Sequence, residues 1–368
     1  MEASKLSRIS FWTLPFKVNY TEMSPNLLLM CKIFVVLLYT HGFYTYLNDP
    51  FLPVIPVLDK LNGIPFLFKY LSKIIFLLAS LSLLFNVRVR TMSIVLGAII
   101  ILNLLASKPM FRNHLFIIGC LLFLAGLSPK NQSPLLIYYQ LGIVYVGALI
   151  NKAFQIDWWS GQFMHNWLGT ALDNKLYLWT AEQIPNMLLA KLISYMAMLS
   201  ELVIAFCLFV PNLRRLALGI ILVFHTLLFT FTGETFGFFM EDILIVLIAF
   251  LVWPKNQSEL NVKSSKHFKW LKVLSMLDFD NRVLLNVNNE MKENLVLSKN
   301  DKKYKNWAAF TQFLLQCNGF FILLLVLEMG IRYVFNGTPK YVALLLLLWI
   351  FIVFLSPLAI SKNNIKEI

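Results

Sequence analysis

The sequence predicts an all-α, polytopic integral membrane bundle, with about 8–10 transmembrane helices and both termini cytoplasmic. Three observations carry this. Hydrophobic residues fill 58% of the 368 positions and charged residues only 14%, against about 45–50% and 25% in soluble domains. The mean hydropathy is +0.70. The apolar residues fall into runs long enough to cross a bilayer, and the basic residues collect in the stretches between them. A soluble enzyme is excluded by the greasy exterior it would expose. Disorder is excluded by an aromatic content of 15%.

A spanning helix needs about 20 apolar residues. Runs of this kind lie near 26–46, 67–86, 92–107, 114–128, 136–153, 187–210, 216–233, 239–253, 307–330 and 341–358. The runs at 92–107 and 114–128 are short, so one is re-entrant or the two form a tight hairpin. Ten spans is the favoured count, with eight or nine as alternatives.

Basic residues set the orientation. Lys5, Arg8 and Lys17 precede the first span, Arg88 and Arg90 sit in a short loop, and Arg214 and Arg215 follow Pro211. The stretch 254–306 carries eleven basic residues against six acidic ones, and Lys362 and Lys366 end the chain. With ten spans and both ends inside, every one of these segments is cytoplasmic. The outer loops are then 48–66, 108–113, 154–186, 234–238 and 331–340.

The domain reading is an amphipathic N-terminal segment (1–25), a transmembrane domain (26–253), a basic cytoplasmic segment (254–306), a C-terminal transmembrane pair (307–358) and a cytoplasmic tail (359–368). The first 25 residues lack the apolar core and cleavage site of a signal peptide. Phe11 to Phe16 suit an interfacial helix on the inner leaflet. Within 254–306, Val283–Val287 and Leu295–Leu297 read as short strands of an element too small for a core of its own.

The net charge of +13 does not indicate nucleic acid, because no basic stripe carries interleaved aromatics. Cys31, Cys120, Cys207 and Cys317 stand far apart, with no CxxC pair, so neither a zinc site nor a dithiol motif is encoded. The partner that composition implies is the lipid bilayer, and the location is a cell membrane.

Ionisable residues inside spans are costly and mark sites. They are His114 at the start of the fourth span, Lys152 near the end of the fifth, Glu201 in the sixth, His225 in the seventh, and Glu241 and Asp242 at the start of the eighth. Lys32, Lys69, Lys73 and Lys191 read as snorkelling near span ends. The topology brings His114, Lys152, Glu241 and Asp242 to the outer rim, joined there by Asp157, Trp158, Trp159 and His165. Lys152 lies among Tyr145, Gly147, Ala148 and Leu149, which would desolvate it and suit it to act as a base. The bland alternative is a snorkelling lysine, a capping histidine and an interfacial Trp belt. Glu201 lies ten residues before Pro211 and His225 ten after Arg215. Each is about 15 Å above the inner boundary, so the two are expected to meet as a buried polar pair, clamp or relay.

Asn113-His114-Leu115-Phe116, the block from Ile143-Val144-Tyr145 to Asn151-Lys152, Asp157-Trp158-Trp159-Ser160-Gly161, Glu201 and Phe224-His225 together resemble the membrane domain of vitamin K-dependent gamma-carboxylases. That domain recurs in bacteria as the HTTM (horizontally transferred transmembrane) family, and the resemblance spans roughly residues 20–255. It implies Lys152 as the base that deprotonates a quinol such as vitamin K hydroquinone, with His114 assisting. Asn113, Tyr145, Asp157, Trp158, Glu241 and Asp242 would line the same outward-opening cavity. The family block has a lysine doublet where this chain has Asn151-Lys152, and no lumenal substrate domain follows residue 255. Some bacterial relatives carry a thiol–disulfide oxidoreductase-like segment there. Residues 266–330 follow its order faintly, without its paired cysteines. The resemblance therefore implies either a membrane enzyme acting at the outer face on a quinol-like or peptidyl substrate, or a non-enzymatic protein that binds or helps mature a secreted peptide, as in sporulation-delaying-peptide systems.

Overall fold

The computed structural model of the chain describes residues 11–130, 132–232, 237–251, 256–299 and 302–335. The expected span at 341–358 and the C-terminal tail lie outside the described residues. The described chain divides into two compact units, one of residues 11–134 with 242–335 and the other of residues 135–241.

In the first unit, helix α1 (Pro25–Thr40) and helix α2 (Pro65–Leu84) each open on a proline, whose missing N–H needs no partner in the first turn. Helices α3 (Val89–Ala106) and α4 (Asn113–Leu127) pack as a hairpin. Lipid is as apolar as leucine, so close backbone approach, not water exclusion, holds such a pair together. Gly97 makes this approach possible, because a Cβ there would stand 2.5 Å from the Gly119 carbonyl oxygen and from the Phe123 amide nitrogen. The N-terminal segment forms a 3-10 helix, Phe11–Phe16.

Lys32 does not snorkel. It is buried in α1 and its Nζ donates to the carbonyls of Leu14, Pro15 and Lys17 at 2.9, 3.2 and 2.8 Å. The ammonium thus gathers carbonyls at and just beyond the end of the 3-10 helix, two of which also accept from the Asn86 side-chain amide.

Helices α5 (Leu135–Ala153), α6 (Leu188–Phe209) and α7 (Arg214–Thr232) form the second unit, with short helices at Ile156–Ser160, Gln162–His165 and Lys175–Glu182 between α5 and α6. Helix α6 stops where Pro211 pushes Val210 into extended backbone. Helix α8 (Gly237–Val246) runs across the boundary between the units.

Five described helices are long and apolar enough to cross a membrane, namely α2, α3, α5, α6 and the stretch Pro211–Phe229. A sixth is formed if α10 (Asn306–Leu314) and the apolar start of α11 (Asn318–Phe335), bent by 74° at Leu315–Cys317, are one span. Helices α1 and α4 are apolar but shorter. The chain is a multi-pass helical membrane protein.

The all-α expectation fails at one place. Strands β1 (Ser258–Val262), β2 (Val283–Val287), β3 (Leu295–Lys299) and β4 (Lys302–Lys305) form a sheet in the order β2-β1-β3-β4. Helix α9 (Ser265–Leu274) links β1 to the parallel β2, and the other two pairings are antiparallel. Leu260, Val262, Leu295 and Leu297 alternate inward and meet Leu271, Ala309 and Phe313 from α9 and α10. The core of this sheet is thus not closed by 254–306 alone. The helix that follows β4 supplies the side of the core that 254–306 alone lacks.

Candidate functional site

Lys152 occupies the last turn of α5, where a lysine is free to reach outward to water. It does the opposite. A helical side chain leans toward its own N-terminus, and Lys152 Nζ lies 3.5 Å from the Ala148 carbonyl, one turn back. Glu201, on the antiparallel α6, leans the other way along the same axis. The two meet at 2.6 Å between Nζ and Oε1, with side chains 18% and 6% exposed. Trp158 offers its ring face to the ammonium at 5.1 Å and is held by stacking on Phe163 at 4.5 Å.

Tyr145 stands seven residues before Lys152, two turns along the same face of α5. Its hydroxyl lies 2.9 Å from His225 Nε2 on α7. Tyr145, Glu201 and His225 are all buried. Glu201 Oε2 and His225 Nδ1 are also buried and have no hydrogen-bond partner among the described residues. The second unit thus holds an ion pair and a hydroxyl–imidazole pair, each with one polar atom unused.

The expected Glu201–His225 pair is replaced by these two bonds to α5. Equal depth in α6 and α7 does not decide partnership, because Lys152 of α5 takes Glu201 and Tyr145 of α5 takes His225. The lean of a helical side chain toward the N-terminus was the signal that could have found the pairing.

The segment between α5 and α6 is folded against α6. Gly161 has φ +79°, and a Cβ there would lie 2.7 Å from the Lys191 amide nitrogen, so both conformation and closeness require glycine. Tyr195 donates to the Trp159 carbonyl at 2.8 Å, Trp159 Nε1 donates to the Ala153 carbonyl at 2.8 Å, and His165 Nδ1 lies 2.9 Å from the Tyr177 hydroxyl. Asp157 is exposed on the first turn of Ile156–Ser160. At the far end of α5, Tyr138 lies under the Arg214 guanidinium at 4.3 Å, and Arg214 Nε donates to the Leu208 carbonyl.

The other expected residues fall as follows. Asn113, exposed, and His114, half-buried, open α4 in the first unit. Glu241 and Asp242 are buried on α8, one on each side of the unit boundary. No group of three His, Cys, Asp or Glu that could hold a metal ion occurs among the described residues.

Residues 130–252 match the family model of the HTTM domain. The matched stretch encloses Tyr145, Lys152, Trp158, Glu201 and His225, so the whole polar group lies in the part of the chain that is similar to that family. His114 and Asn113 precede it. Neither the curated proteins nor the solved structures contain a match to the chain.

Proposed function

We infer that the chain is a membrane enzyme that withdraws a proton from a quinol-like or peptidyl substrate, with Lys152 and Glu201 as the working couple. The observation that supports this is the buried 2.6 Å pair with Glu201 Oε2 unused. A phenolic hydroxyl is the kind of donor that an unused carboxylate oxygen in an apolar wall accepts.

In this reading Lys152 passes its proton to Glu201, and the amine then takes the proton of the substrate hydroxyl. The sum is one proton moved from substrate to Glu201. The substrate anion remains beside an ammonium that has recovered its charge, so no net charge is created in the apolar site. Oxidation of such an anion by O₂ is the chemistry that a vitamin K-type quinol supplies once bound. The site supplies the base, the counter-ion and exclusion of water. The reading rests on residues of the second unit alone.

The test is Lys152→Arg in protein reconstituted in nanodiscs and supplied with a naphthoquinol and O₂, with quinol consumption followed. Arginine keeps the charge and the Glu201 pair but does not give up its proton, because its pKa stays above about 12. Loss of turnover at unchanged thermal stability supports the reading, with the exposed Lys175→Arg as the control. Wild-type turnover in Lys152→Arg removes the lysine from the chemistry, and no turnover by the wild type with either quinol or peptide removes the enzyme reading.

A further inference from the structure

Helix α9 has two faces of opposite character. Phe268, Leu271 and Leu274 recur every three residues and pack on the sheet core. Trp270 and Val273 recur at the same interval on the other side, 50% and 65% exposed, and Met276, in the 3-10 turn Ser275–Leu277 that follows, continues the row at 74%. The row continues onto α10. Trp270 meets Phe310 edge-on at 5.7 Å, and Phe310 meets Trp307 at 5.6 Å. Trp307 is itself 58% exposed.

Exposed lysines flank the row in sequence. Lys263 precedes α9, Lys269 and Lys272 are on it, and Lys302 and Lys303 lie on the strand before Trp307. Several carboxylates of the segment are engaged elsewhere. Asp280 binds Arg282 and Asn318, Asp278 accepts from the Val283 amide, and Glu293 pairs with Lys305. Glu259 and Glu290 are exposed, but they sit on β1 and in the turn after β2.

Tryptophan with methionine and valine among lysines is the chemistry of a headgroup layer. The rings take the acyl boundary, and the ammonium groups take the phosphates. The chain's own geometry limits how far this surface stands from lipid. Trp307 is in the first turn of α10, which with α11 makes a bent helix pair apolar enough to cross a membrane. We propose that the outer face of α9, with Trp307, docks on the anionic headgroup layer of the bilayer that holds the chain.

The test uses the full chain in nanodiscs of phosphatidylcholine, with and without phosphatidylglycerol. A fluorescent probe is attached at Met276→Cys or, as a control in the turn after β2, at Asn289→Cys, with the labelled wild type as background. In anionic discs, quenching by aqueous iodide at position 276 should be at least about three-fold weaker than at 289, and nitroxide lipids should quench 276 alone. Lys269→Ala with Lys272→Ala should weaken docking about five-fold per lysine removed. Equal iodide access at both positions in anionic discs overturns the proposal. So does shielding of 276 that ignores lipid charge and vanishes in discs holding one chain, which would make a second copy the occupant.

Discussion

Glu201→Leu leaves the Lys152 ammonium in surroundings built for a pair. Removing one partner of a buried ion pair costs about 3–5 kcal/mol. Lys152 keeps 18% of its side chain exposed and the Trp158 face at 5.1 Å. Both relieve the stranded charge, so the lower end applies, about 3 kcal/mol. At about 2.1 cal/mol/K of unfolding entropy per residue, a 368-residue chain loses about 1.3 °C per kcal/mol, so Tm should fall by about 4 °C. Lys152→Met with Glu201→Leu removes both charges and keeps apolar bulk, and should return to within about 1 kcal/mol of wild type. Thermal unfolding in nanodiscs of the wild type, both single variants and the double variant closes the cycle. If the double variant loses the sum of the two single losses, with a coupling below about 0.5 kcal/mol, the pair does not exist as described.

Gly97→Ala forces α3 and α4 apart against backbone atoms at 2.5 Å. It should cost about 1–3 kcal/mol in thermal unfolding, whereas Gly147→Ala, with nothing within 4 Å of its Cβ, should be neutral or slightly stabilising. Burial lowers the Lys299 pKa from 10.5 to about 8, the Arg282 charge adding to the effect. Below pH 8 the folded chain bears the full penalty of a buried ammonium. Between pH 8 and 10.5 the unfolded chain binds more protons, so stability rises with pH, by up to about 3 kcal/mol. Lys299→Met should flatten that slope when Tm is followed from pH 7 to 10, and an unchanged slope would refute the assignment. Asp280 accepts from the Val18 and Asn19 amides at 3.2–3.3 Å. Asp280→Ala should speed hydrogen exchange at these two amides by about tenfold or more, and unchanged exchange would show that the Asp280 carboxylate does not hold them.

The long helices were legible because hydropathy fixes where a chain can enter lipid. The run at 92–107 became Val89–Ala106, the run at 136–153 became Leu135–Ala153, and the run at 187–210 became Leu188–Phe209. The polar residues of the site were legible for the same reason, since Glu201 and His225 interrupt apolar sequence. Partnership was not, because it depends on helix stagger and side-chain lean, which periodicity does not encode. Two of the four strands were legible. β1 carries only two apolar residues inward and β4 is Lys-Lys-Tyr-Lys, an edge strand with no apolar face to announce it. The short helices between α5 and α6 were hidden likewise, because their burial comes from α6 and not from their own pattern.

The direction of Lys152 bears on what the pair is for. A lysine in the last turn of a span can place its ammonium in the headgroup layer at little cost. Here the side chain turns back along the helix, and the compensation for lost hydration is one carboxylate and one indole face. A joint between α5 and α6 needs no charges, since apolar side chains of similar volume usually hold helices as well or better. The same unit buries a second polar pair two turns along the same face of α5, again with an atom left unused. Two such pairs in one apolar unit are poor adhesive. They are a reasonable way to hold protons at fixed points in a low-dielectric wall, and that is why Lys152→Arg, which preserves the joint and removes the transferable proton, separates the two roles.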